Sequence, residues 1–268
     1  MAERGGKAAT MSATGMASKG AFLPAKVVSG AIALTFPRQA DVRRKSNGFE
    51  DLLKVDYEQP QVINIPDELN PDLPRFLFAA KDERSLISVS QTIIQQNIAF
   101  PDDIPLDMEG VTTHVLSQYP LLFNLLGTLK GVRPYFFGMT TTVHVPTHSL
   151  YKDYLPLFAH SLLKEPEARG YYDLYVKWTK TKQGLYYDST TITNYRTYTL
   201  QVAPGTIPRV PLDTVTEHGI EITGDFNDRF AFNEKPQYCT GVSKADTIVR
   251  NGIRSVEAAI AQVKAMSQ

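Results

Sequence analysis

YYDLYVKWTKTKQGLYYDSTTITNYRTYTLQV, residues Tyr171–Val202, decides how the rest of the chain is read. Tyr, Thr, Val, Ile and Trp dominate it, and these residues suit a pleated, half-buried surface. Tyr172, Leu174, Val176 and Trp178 recur at period two and so share one face of a strand. Thr181 to Gly184 supplies a polar turn in which Gly184 is free to take positive φ. A second extended run follows and stops at Pro204-Gly205. The stretch predicts a long antiparallel hairpin at the centre of a sheet, with Trp178 in the core.

Working outward, the N-terminal part reads as a strand over Val28–Phe36 and a short amphipathic helix over 48–55. A brief strand around Val62 to Ile65 precedes a proline-rich loop, Pro66 to Pro74. Two strands follow, Arg75–Lys81 and Ser85–Phe100, turning at Asp82-Glu83. Pro101 to Pro105 is a break, and Glu109–Leu129 has helical apolar spacing, with Pro120 placed to kink or split it and Gly127 to cap it. In the C-terminal part, a long strand Val132–Val145 stops at Pro146, and Thr147 is the expected N-cap of a helix over His148–Lys164. After the hairpin come a proline-rich loop (203–217), a strand Gly219–Phe232 and a last helix from Ser243 to about Ala265. Strand, helix, three strands, helix thus occurs twice. The expected fold is α+β: two similar halves, residues 29–130 and 131–268, of largely antiparallel sheets covered by helices. Such halves would pack about a pseudo-twofold, with a seam near Gly127–Gly131 and function in the groove between them.

Residues 1–28 lack large apolar groups and periodicity and read as a disordered tail without the apolar core of a signal peptide. The chain has 268 residues, zero formal net charge and one cysteine, Cys239. That length buries a sizeable core without staples, and a lone cysteine excludes an internal disulfide framework. No apolar run approaches the ~20 residues of a membrane helix, and no global positive field favours nucleic acid. The cytoplasm is the expected compartment. Charge is segregated: residues 1–45 carry eight Lys/Arg against two acids, and residues 46–109 carry thirteen acids against four basic residues. Ordinary solvated faces are the plainer reading of this pattern; the alternative is that those surfaces meet each other within the chain or meet a partner.

Few residues are placed for chemistry. Asp225, Asn227, Asp228 and Arg229 crowd an otherwise apolar strand. Asp225 and Asp228 could hold a divalent cation for a metal-dependent nuclease or hydrolase, with Arg229 beside them, although the spacing fails the calcium-loop pattern. The plainer reading is a turn with Asp228 and Arg229 paired locally. His144 and His148 are four apart, but a proline separates them and there is no HExxH, so surface or capping histidines compete with metal ligation. Cys239 lacks a protease signature, no serine sits in a GxSxG elbow, and no phosphate-cradling glycine motif occurs; no cofactor is implied. On the hairpin, Tyr175, Lys177, Tyr195 and Arg196 interleave rings and cations as a surface for single-stranded nucleic acid would. Tyrosines packed under a helix are the alternative.

The helix ending in Tyr119 and Phe123, the following Gly131-Val132-Arg133-Pro134-Tyr135 and the Gln-Asn that closes Ser88–Asn97 resemble a sporadically distributed family of uncharacterised bacterial proteins built from a duplicated unit. The resemblance covers about residues 30–265. Pro134 interrupts the family's Arg-Tyr pair, and the expected Asn does not follow. The family brings no assigned activity; it implies a bacterial accessory gene of the kind found with defence or toxin–antitoxin functions. Lacking a catalytic constellation, the chain is expected to be a non-enzymatic binding or assembly protein, with a protein partner or self-association.

Overall fold

The computed structural model describes residues 22–101, 107–148, 151–164, 172–199 and 214–266. Its elements in chain order are β1 (Lys26–Thr35), α1 (Ser46–Leu53), β2 (Gln61–Val62), β3 (Phe76–Ala79), β4 (Ser85–Val89), β5 (Ile93–Ala99) and α2 (Met108–Gly127). There follow β6 (Phe136–Pro146), α3 (Tyr151–Leu163), β7 (Tyr175–Lys182), β8 (Tyr186–Tyr198), β9 (Val215–Asn227), α4 (Arg229–Glu234) and α5 (Val242–Ala265). The fold is α+β. All the strands form one nine-stranded sheet in the order β2-β3-β4-β5-β1-β6-β9-β8-β7, antiparallel throughout.

The order explains how the chain is laid down. β1 takes the middle, the chain crosses to the far edge at β2, and β3, β4 and β5 meander back to lie beside β1. β6 then pairs with the free side of β1, Ala31 opposite Thr140, and the chain crosses to the other edge at β7. β8 and β9 meander back beside β6. The strand order therefore reads alike outward from the β1–β6 pair in both directions.

Because successive side chains of a strand alternate in face, the registers sort every strand residue. One face carries Ile32, Leu34, Ile87, Ile94, Phe137, Met139, Val143, Ile192, Ile222 and Phe226, all buried in a single core with Phe49, Val115, Leu122, Leu155, Phe158, Ile248 and Val256 of the helices. Every strand residue of that core belongs to this covered face. α5 lies close on it: a Cβ on Gly224 of β9 would stand 2.4 Å from Val256 Cγ2, so only glycine admits the helix at that distance. Asp188 of β8 adds a polar tie, accepting Ser255 Oγ of α5 at 2.7 Å and pairing with Lys182 at 2.5 Å.

Several sequence expectations shift. The 175–198 hairpin is at the edge of the sheet, not its centre, and Trp178 is half-buried there rather than in the core. Its turn agrees with the reading: Gln183 and Gly184 have φ of 55° and 58°, and Leu185 N–H bonds Lys182 C=O at 3.0 Å, the backbone that matches strand twist. Ser85–Phe100 is two strands. Ser90 Oγ accepts the N–H groups of Thr92 and Ile93 at 3.1 and 2.8 Å, so a serine makes the turn that the sequence marks with no glycine or proline. Pro120 removes one donor from α2 without ending the helix. Thr147 bridges to Phe22, and its N–H bonds His218 C=O; the residues that would decide its expected cap of α3 lie outside the described ones. Gly241, not Ser243, precedes the first turn of α5. The strand expected over Gly219–Phe232 is β9 from Val215 to Asn227, followed by α4. Residues 22–28, read with the tail, belong to the fold: Phe22 packs edge-on to Phe158, ring centres 5.7 Å apart. The tail before residue 22, the break after Pro101 and most of the 203–217 loop lie outside the described residues.

The charge segregation resolves partly inside the chain. Asp67 takes Arg43 Nε at 2.9 Å and Arg75 Nε at 3.3 Å, and these hydrogen bonds hold its carboxyl below the usual range against the opposing effect of burial. Arg75 is fully buried, and its guanidinium also donates to the carbonyls of Leu73, Pro66 and Asn70, which is how the proline-rich loop is held. Among the described residues no helix is long and apolar enough to cross a membrane.

Candidate functional site

The second face of the sheet is touched by one described helix, α4, at one end, where Phe232 packs on Phe136 and Phe230 on Tyr187; no described helix lies over its middle. Reading the registers across from β5 to β8, it presents Gln95, Asn97, Ser29, Ala31, Ala33, Gly138, Thr140, Thr142, Thr223, Asp225, Ser189, Thr191 and Thr193. Short side chains make it flat, and its centre, at Ala31, Thr140 and Thr142, is uncharged. At about 4.8 Å between strands and about 20 Å of strand length, nine strands offer roughly 850 Å² of surface.

One corner of this open face is polar. His144 lies flat on the Tyr195 ring, centres 3.7 Å apart and planes 16° from parallel. Its Nε2 is 3.2 Å from Glu221 Oε2, and its Nδ1 is 4.0 Å from Glu217. Glu217 also accepts Tyr195 Oη and Lys26 Nζ, each at 2.8 Å. Burial pushes the Glu217 carboxyl up, but the bonds from Lys26 and Tyr195 outweigh it and hold the group below its usual value. The corner is a connected set of hydrogen bonds around one Lys–Glu ion pair. His148 lies beyond the strand end and is exposed. Among the described residues no three His, Cys, Asp or Glu side chains are grouped to hold a metal ion.

The four hairpin residues divide. Tyr175, Lys177 and Tyr195 do share the open face, through the pairs Tyr175–Thr193, Lys177–Thr191 and Tyr195–Gly219, and Tyr175 is 69 % exposed. Arg196 points to the other side, where its guanidinium lies 4.0 Å over the Tyr172 ring and pairs with Asp173 at 3.1 Å. Tyr195 is already stacked on His144. With Glu217, Glu221 and Asp225 on the same face as Lys26 and Lys177, the surface offers phosphate no excess of positive charge.

The carboxylates singled out for hydrolysis are separated. Asp225 stands on the open face opposite Thr140 and Ser189, where Asn227 Nδ2 donates to it at 2.8 Å. Asp228 is fully buried past the end of β9, where it accepts Phe137 N–H and Tyr238 Oη, each at 2.7 Å. Burial raises the Asp228 carboxyl despite those bonds, and burial together with the Asp228 hydrogen bond raises the Tyr238 hydroxyl. The local Asp228–Arg229 pair expected from sequence does not form; Arg229 lies 5.6 Å over the Phe136 ring. Asp228 thus ties β9 to β6 and to the segment before α5. Cys239 is half-buried and unpaired to any other cysteine. Lys26, Glu217 and Glu221 escaped sequence reasoning, because Lys26 and Glu217 are 191 residues apart and meet only through the sheet register.

Comparison with protein-family models, with curated proteins and with solved structures finds no match to this chain.

Proposed function

We propose that this is a non-enzymatic binding or assembly protein, and that the open face of the sheet is its working surface. The observation that carries the reading is the one-sided cover: all strand residues of the core point to the helices, and the middle of the other face, which no described helix covers, is made of small Ser, Ala, Gly and Thr residues. A sheet face of roughly 850 Å² is about one partner's share of a standard protein interface. Flat, small-residue, uncharged strands pack best against another sheet at about 10 Å. The occupant is a second copy of this chain, laid face to face, since a two-fold seats the small, uncharged middle of one face on that of the other. Sedimentation equilibrium of the full chain tests it. A dimer that Ala31→Arg, at the centre of the face, converts to monomer supports the reading; a wild-type monomer at micromolar concentrations overturns it.

The metal-dependent hydrolase is disfavoured by the placement of Asp225 and Asp228 on different sides of the sheet, and single-strand binding by the balance of charge on the open face. A role in a bacterial accessory system, with defence or toxin–antitoxin functions, rests on the family resemblance alone.

We infer also that the chain is a duplicated unit. The mirrored strand order supports this, with β1, β3, β4, β5 and α2 answering to β6, β7, β8, β9 and α5. Each unit alone would bare one edge of its innermost strand, β1 or β6. Residues 1–130 and 131–268 expressed separately should lack cooperative thermal transitions and regain one when mixed; two independently cooperative fragments would contradict the shared core.

A further inference from the structure

The two halves differ at one matching corner, on the helix side of the sheet. In the first, a cavity of about 550 Å³ opens between the end of α1 (Val55 to Tyr57), the β3–β4 turn (Ala80 to Ser85), the end of β5 (Ala99, Phe100) and α2 (His114, Gln118, Leu121). In the second, the corresponding space between the β7–β8 turn, β9 and α5 is about 230 Å³. The residues responsible can be read off by position. Counting from each turn, Ser85 and Tyr186 are the first covered-face residues of the returning strand, and Gln96 and Phe226 stand across from the second, Ile87 and Asp188. In the second half the Tyr186 and Phe226 rings fill the corner, centres 5.2 Å apart at 33°. In the first half a serine and a glutamine stand at these positions, and the Tyr57 ring, its Oη 3.1 Å from both Ser85 Oγ and Gln96 Nε2, takes only part of the corner and lines the larger cavity.

The walls that remain are suited to a guest. Val55, Ala80, Phe100 and Leu121 are apolar, and His114 sits edge-on to Phe100 at 5.8 Å. Tyr57 Oη, Ser85 Oγ and the Gln118 amide gather around the fully buried Gln96, whose Nε2 lies 3.1, 2.9 and 3.0 Å from them, while its Oε1 has no partner. Gln96 itself does not line the cavity, so Tyr57, Ser85 and Gln118 are the polar groups that face it. At the mouth Asp56 and Asp82 balance Lys81 and Arg84, and Lys81 Nζ is committed to the carbonyls of Lys54 and Val55. The volume falls within the range of small-molecule sites.

We propose that this corner is a binding site for a neutral, planar nitrogen heterocycle of base to nucleoside size. Its ring lies between Tyr57 and the apolar walls of Phe100 and Leu121, and its ring nitrogens or amide exchange hydrogen bonds with Tyr57, Ser85 and Gln118. The site is independent of the open face.

The test is saturation-transfer NMR on the full-length protein with adenine, adenosine, uracil and nicotinamide as probes. At least one should receive saturation from the wild type. Ser85→Phe fills the corner from the sheet and Leu121→Trp fills it from α2, and each should weaken that probe's binding at least tenfold while keeping a cooperative melt. If one variant fails to fold, the other decides. No transfer to any probe, or transfer undiminished in a folded filled variant, overturns the proposal.

Discussion

The two faces of the sheet are made by the same strands and have opposite characters. On β6, Phe137, Met139 and Val143 go down into the core, and Gly138, Thr140 and Thr142 between them go up to the other face, whose middle no described helix covers. On β9, Ile220, Ile222 and Phe226 alternate with Glu221, Thr223 and Asp225. Period-two alternation therefore assigns stability to one face and leaves the other free to change without unfolding the protein. A substitution should reveal its face by its effect.

The largest difference is expected at Phe137, which is fully buried and packs on Tyr119 and Phe123 at 6.1 and 6.2 Å. Phe137→Ala should cost about 3–5 kcal/mol in denaturant unfolding. Thr140→Ala, three residues on and on the open face, should cost less than about 0.5 kcal/mol. Equal effects would dissolve the contrast. Next comes Gly224→Ala, which puts a methyl 2.4 Å from Val256. Overpacking there should destabilise by about 1–3 kcal/mol, and a companion Val256→Ala should restore much of it.

A smaller, pH-dependent effect belongs to Asp228. Its folded carboxyl titrates above the ordinary 3.8 because it is buried. Folding therefore favours the protonated form; that contribution is complete below the ordinary value and is lost as pH rises through the raised one. Asp228→Asn keeps an acceptor for Phe137 N–H and cannot ionise. The stability of wild type minus variant should fall as pH rises through this window, read from urea melts at several pH values. A difference that rises with pH would show that the bonds to Tyr238 and Phe137 outweigh burial. Smallest of all, Lys177→Ala on the exposed edge should change stability by less than about 0.5 kcal/mol.

Much of the covered face could be read from the sequence because its signals are local. Val28–Phe36, Val132–Val145, the helix from Glu109 and the 183–184 turn each announce themselves within a few residues. Ser90 to Thr92 did not, since a serine hydroxyl does there what a glycine or proline would have advertised. The hairpin of Tyr175 to Tyr198 was recognisable as a hairpin but not as an edge, because its place depends on β9 and β6 pairing across long stretches of chain. The open face was visible only as the polar half of each alternation. The Lys26–Glu217–His144 corner was not visible at all, because three separate strands compose it.

The central claim is that two copies of the open face meet. It is tested most directly by one nitroxide label at the exposed rim of that face, on Lys177→Cys in a Cys239→Ser background, with the label-to-label distance measured by pulsed electron resonance. Two copies held face to face predict a single narrow distance distribution, which Ala31→Arg removes. A sample with no dipolar modulation, or one whose distance is unchanged by Ala31→Arg, would contradict the account.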